Sequence, residues 1–494
     1  VTEIRLAFRA LCATPAVTLA AVASLTLGIG LNTAIFSLVN SLLLRTLPVA
    51  APDRLAILVD PNVETRVWSN PLWEQIRARA GVYEGAFAWS HTQFNLARGG
   101  EAQLVEGIWA SGEFFRVLGV PAALGRTLTP ADDRRGGGVD GPTAVISHDF
   151  WRRHYAGARD AIGRSLTLDG VAFTVVGVTP RGFSGPDVGQ RFDVVLPLNA
   201  EPLLAGANSG LNSRGRQWLN VMIRRRSDQS LDGANAAWRA IQKDLQATMP
   251  LLDAGFARDL RAPLTLVSAA TGRSLLRSRY REALMLLLVV ATGLLAIACV
   301  NIANLMMARA VARRREMSVR MALGASQAQL GRLLLVEALI VSGTGALLAI
   351  GVAQFVSRLI VQQISTPGNT TYFDLAPDWR VWSFAAVAAT VTGILFGIAP
   401  AWHSMRADPI DALREQGRGS AGGSRTRWPA ALVSVQVALS LVLVAAAGIF
   451  VRTSMELAGR NIGSARDRVL LVNVTAPMTR YTLETLVPVY ERVL

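Results

Sequence analysis

Five stretches of this chain run for the width of a bilayer without an internal Asp, Glu, Lys or Arg: Ala13 to Leu44, Ala283 to Ala308, Ala338 to Ser357, Val381 to Met405 and Trp428 to Val451. A hydrocarbon core needs about 20 apolar residues in helix, because only a helix or a closed barrel satisfies its own backbone there. Each stretch is bounded by charge, as Arg9 and Arg45 bound the first. The expected fold is therefore an α-helical membrane protein with five transmembrane helices. Composition agrees: 51% of residues are hydrophobic and 17% charged.

The formal charge of +15 is almost all arginine, since Lys243 is the only lysine. The arginines gather at the ends of apolar runs rather than on a soluble face interleaved with aromatics, which argues against nucleic acid as a partner. Positive residues in short loops stay cytoplasmic. The loop after the second stretch holds Arg309, Arg313, Arg314, Arg315, Arg320 and Arg332, and that after the fourth holds Arg406, Arg414, Arg418, Arg425 and Arg427. Both are expected inside, which places residues 45–279 outside. The amphipathic segment 1–12 then precedes a retained anchor, since the run at 13–44 is too long for a signal-peptide core.

The outer region reads as one large extracytoplasmic α+β domain. Ser165 to Leu168, Asp169-Gly170 and Val171 to Val176 form a hairpin pattern, because Asp-Gly takes the positive φ angles of a two-residue turn. Thr143 to Ile146, Phe192 to Leu196 and Leu219 to Ile223 are further strands, and Leu72 to Arg79 and Ala234 to Thr248 are helices. No catalytic or metal-binding pattern is present. His148 and His154 are six apart and share no helix face, and Asp132-Asp133 reads as an exposed loop tip. Cys12 and Cys299 flank this region, so no disulfide framework holds it.

Two cytoplasmic segments carry ordered helix signals. A helix running on from the second stretch ends near Leu323, Gly324 takes the left-handed position after it, and Ser326 caps a new helix with Gln329 in a capping-box spacing. That makes a compact stub, either a docking surface or a plain orientation anchor. Glu316 and Arg320 share a face of it. Asp408 as N-cap, Pro409 at the first position and Asp411 at the third mark a second short helix. Within the spans, Ser24, Gly28, Asn32 and Asn40 fall on one stripe, and Asn301 and Asn304 share a face. These are read as packing groups between helices, because none is ionisable. Glu337 is expected near the inner interface.

The run Thr18 to Asn40, the stretch Ala298-Cys-Val-Asn-Ile-Ala-Asn-Leu-Met-Met-Ala-Arg, and above all Arg313-Arg-Arg-Glu-Met-Ser-Val-Arg-Met-Ala-Leu-Gly-Ala-Ser resemble the MacB/FtsX-type ABC transporter permease superfamily. Gly163 to Gly170 and Phe173 to Val178 add to the likeness. The resemblance is strongest with its duplicated orphan-permease branch, which is similar to the macrolide exporter. It implies a MacB-like periplasmic core domain at 45–279 and an FtsX-like domain with three spans at 280–405. A linker at 406–427 then leads to a span at 428–451 that opens a second repeat, truncated at 452–494.

The same resemblance implies a multi-pass protein of the bacterial cytoplasmic (inner) membrane, whose partners are the lipid bilayer, a homodimeric ABC ATPase subunit and a second permease half, in the same full-length chain or in a homodimer. The ATPase-coupling surface would be Arg313, Arg314, Arg315, Glu316, Arg320, Gly324, Ser326, Asp408, Pro409 and Asp411. No Gly-x-x-x-x-Gly-Lys-Ser/Thr loop occurs around Lys243, so the chain is not expected to be an enzyme or to hold a cofactor. ATP and Mg would act only through the partner. The expected function is the permease subunit of an ABC-type export or mechanotransmission complex. The alternative is a membrane-anchored sensor or adaptor whose outer domain binds a peptide or envelope protein without transport.

Overall fold

The computed structural model describes residues 2–63, 66–96, 102–138, 140–248, 263–312, 319, 326–364, 378–405 and 427–459. The chain divides into two compact units, one formed by 1–43 with 277–470 and the other by 44–276 with 471–494.

The first unit is helical. An amphipathic helix α1 (Thr2–Cys12) is followed by the first long helix (Pro15–Val39), which has proline at its start, where the missing amide costs no hydrogen bond. The remaining long helices are Leu275–Ala312, Gln327–Ile364, Trp379–Met405 and Arg427–Gly459, here numbered second to fifth. Four of the five are long and apolar enough to cross a membrane; in the fourth the apolar stretch, Trp379–Leu395, is shorter. The third begins well before the expected Ala338, so Glu337 lies inside a continuous helix and is only 2% exposed.

The packing of this unit rests on small residues. A Cβ on Gly28 would lie 2.9 Å from Leu295 Cδ1, and one on Gly345 would lie 2.9 Å from Leu25 Cβ. The first long helix thus touches the second through Gly28, and the third reaches the first through its own Gly345. The fourth lies against the third at Gly393, beside Ser342. Phe36 and Phe384 stack with centroids 4.2 Å apart, joining the first and fourth. The first long helix ends in a π-turn, Asn40–Leu44.

The second unit is built on one mixed sheet. Its strands are β1 (Leu55–Val59), β2 (Gly85–Asn95), β3 (Leu104–Ala110), β4 (Leu124–Gly125), β5 (Thr143–Ile146), β6 (Ser165–Leu168), β7 (Val171–Val178), β8 (Val194–Pro197), β9 (Asn220–Arg224) and β10 (Thr265–Ser268). Their order is β10-β1-β9-β2-β3-β8-β5-β7-β4, with β6 paired to β7. The pairs β3–β8 and β5–β7 are parallel. Side-chain alternation on β2 shows how both faces are covered. Ala86 and Ala88 face a core with Trp73 and Trp238 from the helices Asn70–Arg79 and Leu231–Thr248, whereas Phe87 and Trp89 face a second core with Phe114, Phe115 and Phe183. The β6–β7 turn has Asp169 at φ +47° and Gly170 at φ +86°.

Candidate functional site

The polar groups of the helical unit join its helices. Asn32 Nδ2 donates to Ala291 O at 2.8 Å and to Gly28 O at 2.9 Å, while Thr292 Oγ1 donates to Asn32 Oδ1 at 3.1 Å. One amide therefore ties the first helix to the second and also closes on its own backbone. Asn40 Nδ2 donates to Asp378 Oδ2 at 2.9 Å. The other oxygen of Asp378 accepts the amides of Arg380 and Val381, both at 3.1 Å, and so caps the fourth helix. Asn301 departs from expectation: it is exposed, and Asn304 is half-buried. Three residues turn a helix through about 300°, so the two asparagines diverge enough for one to leave the seam. Ser24 is likewise exposed.

Just before the third long helix, Ser326 and Gln329 form the reciprocal capping box. The Gln329 amide donates to Ser326 Oγ at 3.3 Å, and the Ser326 amide donates to Gln329 Oε1 at 3.0 Å. Arg313, Arg314, Arg315, Glu316, Arg320 and Gly324 lie outside the described residues, as do Asp408, Pro409 and Asp411. The buried Arg309 donates from Nη2 to Ala10 O, placing a cation at the carboxyl end of α1, where the helix dipole favours it.

The outer unit has a polar cluster that the sequence did not announce. Asp187 is buried; it accepts from Trp89 Nε1, lies 2.9 Å from His91 Nε2, and takes Arg273 Nη1 at 3.5 Å. Burial works against its charge, but the His91 and Arg273 side chains and the Trp89 N–H outweigh it and hold the carboxyl below its ordinary value. The backbone repeats the link: the Arg273 amide donates to Pro186 O at 2.9 Å and the Val188 amide to Arg273 O at 2.7 Å. Gly272, at φ +71°, allows this approach, since a Cβ there would meet Pro186 O at 2.7 Å and Leu47 Cδ2 at 2.9 Å. The Leu47 amide donates to Ala270 O at 2.9 Å. The two segments by which the chain joins this unit are thus held side by side.

Arg224 is a second buried anchor. Its guanidinium donates to Ala51 O at 3.1 Å, Ala50 O at 2.6 Å and Val117 O, so three carbonyls share one charge. Asp132 and Asp133 correct the reading of an exposed tip, for both are buried. Asp132 accepts two bonds from Arg126, at 2.7 and 2.8 Å, and one from the Thr129 hydroxyl at 2.7 Å. Asp133 accepts the amides of Gly112 at 3.0 Å and Asn199 at 2.8 Å. The polar pair folds inward because backbone amides from distant loops need acceptors. His148 and His154 fall on one short helix, with His154 stacked on Phe150. Among the described residues no group of three or more His, Cys, Asp or Glu is placed to hold a metal.

Comparison with known proteins follows these two units. Residues 18–241 match the MacB-like periplasmic core domain, and residues 288–409 match the FtsX-like permease C-terminal domain. The chain is 29% identical over 326 residues to the macrolide export ATP-binding/permease protein MacB of Burkholderia cenocepacia, covering 63% of this chain and 41% of that protein. It is 27% identical over 310 residues to a protein of Pseudomonas syringae pv. tomato named as a probable syringafactin export ATP-binding/permease protein, SyfD, covering 61% and 41%. The chain therefore spans well under half the length of these relatives. The periplasmic region of MacB from Actinobacillus actinomycetemcomitans aligns over 48% of this chain and 94% of its own, at 10% identity and a TM-score of 0.31. With a periplasmic core domain and an FtsX-like permease domain in one chain, this protein belongs to the MacB/FtsX-type ABC transporter permease superfamily.

Proposed function

We propose that the chain is the permease subunit of an ABC-type export or mechanotransmission complex, driven by ATP hydrolysis on a separate polypeptide. The observation that carries this reading is the second long helix. Leu275–Ala312 is one uninterrupted helix of 38 residues, roughly 57 Å at 1.5 Å per residue, against a hydrocarbon core of about 30 Å. It begins two residues after Arg273, which the Asp187 cluster grips, and it ends next to the arginine-rich segment 313–325. One continuous helix thus leads, along the chain, from the residues just after Arg273 to the segment that the family resemblance assigns to ATPase contact. The capping box at Ser326 supports a defined turn after that segment rather than a loose anchor.

The ATPase would act as a dimer under the cytoplasmic loops of a bacterial inner-membrane protein, with a second permease half completing the pair. The relatives named for macrolide and syringafactin export make those compounds the first substrates to test.

The decisive experiment reconstitutes the chain with its co-purifying ATPase in vesicles. Glu316→Arg and Gly324→Val are expected to leave insertion and yield unchanged while lowering permease-stimulated ATP hydrolysis and efflux. Wild-type ATPase binding and turnover in both variants would reduce the arginine run to an orientation signal. Partner binding without any ATP-dependent efflux would favour the sensor or adaptor reading.

A further inference from the structure

The helix α1 presents a sorted surface. Its Ala7, Ala10 and Leu11 are buried, with Leu11 in the apolar core of the helical unit. At about 100° per residue, Ile4 and Phe8 come next around the helix, 61% and 62% exposed. Arg5, Arg9 and Cys12 follow, all exposed, on the side directly opposite the buried one, and Leu6 lies on the far flank. Apolar groups therefore border the packed side, and cations point away from it.

The placement of the helix is fixed by its links. Only Ala13 and Thr14 separate Cys12 from Pro15, where the first long helix begins, and two residues span at most about 7 Å. The Ala13 amide donates to Arg9 O at 3.1 Å, Thr18 Oγ1 donates to Leu11 O at 3.0 Å, and Arg309 holds Ala10 O. The first of these continues the last turn of α1, and the other two tie its carboxyl end to the first and second long helices, which fixes the side it turns to them. Leu19, one turn into the first long helix, is exposed as well, at 68%.

We propose that this face is a contact for anionic phospholipid, with Arg5 and Arg9 taking headgroup phosphates while Ile4 and Phe8 enter the acyl boundary. The charge separation around the helix matches the polarity gradient of a leaflet, and guanidinium groups pair with phosphate in a bidentate fork. Net negative charge in the lipid, beyond the phosphate that every phospholipid carries, is what two arginines one turn apart would select. The proposal rests on membrane insertion and on no property of an ATPase.

Cys12 supplies the test, because it lies between Phe8 and Arg5 around the helix and Cys299 is buried. The full chain carrying Cys299→Ala is labelled at Cys12 with a fluorophore and reconstituted into vesicles of equimolar phosphatidylcholine and phosphatidylglycerol, one of the two brominated on its acyl chains. Brominated phosphatidylglycerol is expected to quench more strongly. The enrichment should be several-fold and should fall as salt is raised. The Arg5→Gln/Arg9→Gln pair should abolish the preference and Arg5→Lys/Arg9→Lys should keep most of it, while Ile4→Ala/Phe8→Ala should weaken quenching by both lipids alike. Equal quenching by both lipids in the unsubstituted helix would overturn the proposal. Quenching by neither would turn this face toward protein or water and overturn it as well, leaving the permease reading intact.

Discussion

Asp187 and Arg273 hold each other twice, once through their side chains at 3.5 Å and once through a parallel backbone bridge between their segments. The side-chain contact is buried and shared with His91 and Trp89. Removing one member of a buried charged cluster leaves the others desolvated without compensation, at a cost of about 3–5 kcal/mol. Asp187→Ala is therefore expected to destabilise the outer unit by that order. Asp187→Asn keeps the shape and one acceptor and should cost less, about 1–3 kcal/mol. Urea unfolding followed by tryptophan fluorescence, with Trp89 inside the cluster, measures both. Equal stability of Asp187→Ala and wild type would mean that the base is held by its backbone bonds alone.

The neighbours Asp132 and Asp133 are expected to titrate in opposite directions. Burial opposes the charge on Asp132, but Arg126 and Thr129 prevail and its carboxyl is held low; burial dominates at Asp133 and pushes it up. A depressed carboxyl contributes stability that is present above its unfolded value and lost as pH falls through the folded one. A raised carboxyl does the reverse: its folded state holds the proton longer, so stability declines as pH rises from the ordinary carboxylate value to the raised one. Melting temperature against pH should show both limbs. Asp132→Asn should flatten the acid limb and Asp133→Asn the upper one.

Asn32 and Gly28 test the seam between the first and second long helices. Asn32→Leu removes the bonds to Ala291 and Thr292, a loss of about 0.6–2 kcal/mol in a membrane interior. Gly28→Leu should do more harm, because even its Cβ would lie 2.9 Å from Leu295 Cδ1 and the helices would have to part. Cysteine cross-linking between the two helices, scored as unfolding in detergent proceeds, ranks the variants. A milder effect from Gly28→Leu than from Asn32→Leu would show that the helices yield more readily than their packing implies.

Ser326→Ala removes the hydroxyl that accepts the Gln329 amide, leaving only the backbone half of the capping box, and should cost about 0.5–2 kcal/mol of local helix stability. Amide hydrogen exchange in the first turn after Ser326 should rise accordingly, with Ser326→Thr close to wild type. Unchanged exchange in Ser326→Ala would show that the third long helix needs no cap.

Local signals were legible and distant ones were not. The Asp169-Gly170 turn and the Ser326–Gln329 box could be read because every interacting group lies within a few residues of its partner. The long apolar runs were readable for the same reason, since a bilayer imposes its demand on consecutive residues. Asp132 and Asp133 were misread because polarity and nearby glycines suit a loop tip as well as a buried acceptor pair; only the approach of Gly112 and Asn199 decides between them. The Asp187 cluster could not be foreseen, as Trp89, His91 and Arg273 come from far along the chain in both directions. Asn40 and Asp378 are likewise brought together only by the fold. Asn301 was read as a packing group on a face shared with Asn304, yet among the described residues it is exposed.

The strand order sets a timetable for making the protein. β1 is among the first parts of the outer unit to be synthesised, yet its two neighbours in the sheet, β9 and β10, are the last strands to appear. At roughly 5–20 residues per second, on the order of ten seconds or more must pass before Leu58 can meet Leu266. Throughout that interval β1 is an apolar strand without its partners, awaiting a segment that ends only a few residues before the second long helix. Completion of the sheet is thereby deferred until the ribosome is about to deliver the next span, so folding of the outer unit and membrane insertion of that helix become neighbouring events in the life of one nascent chain.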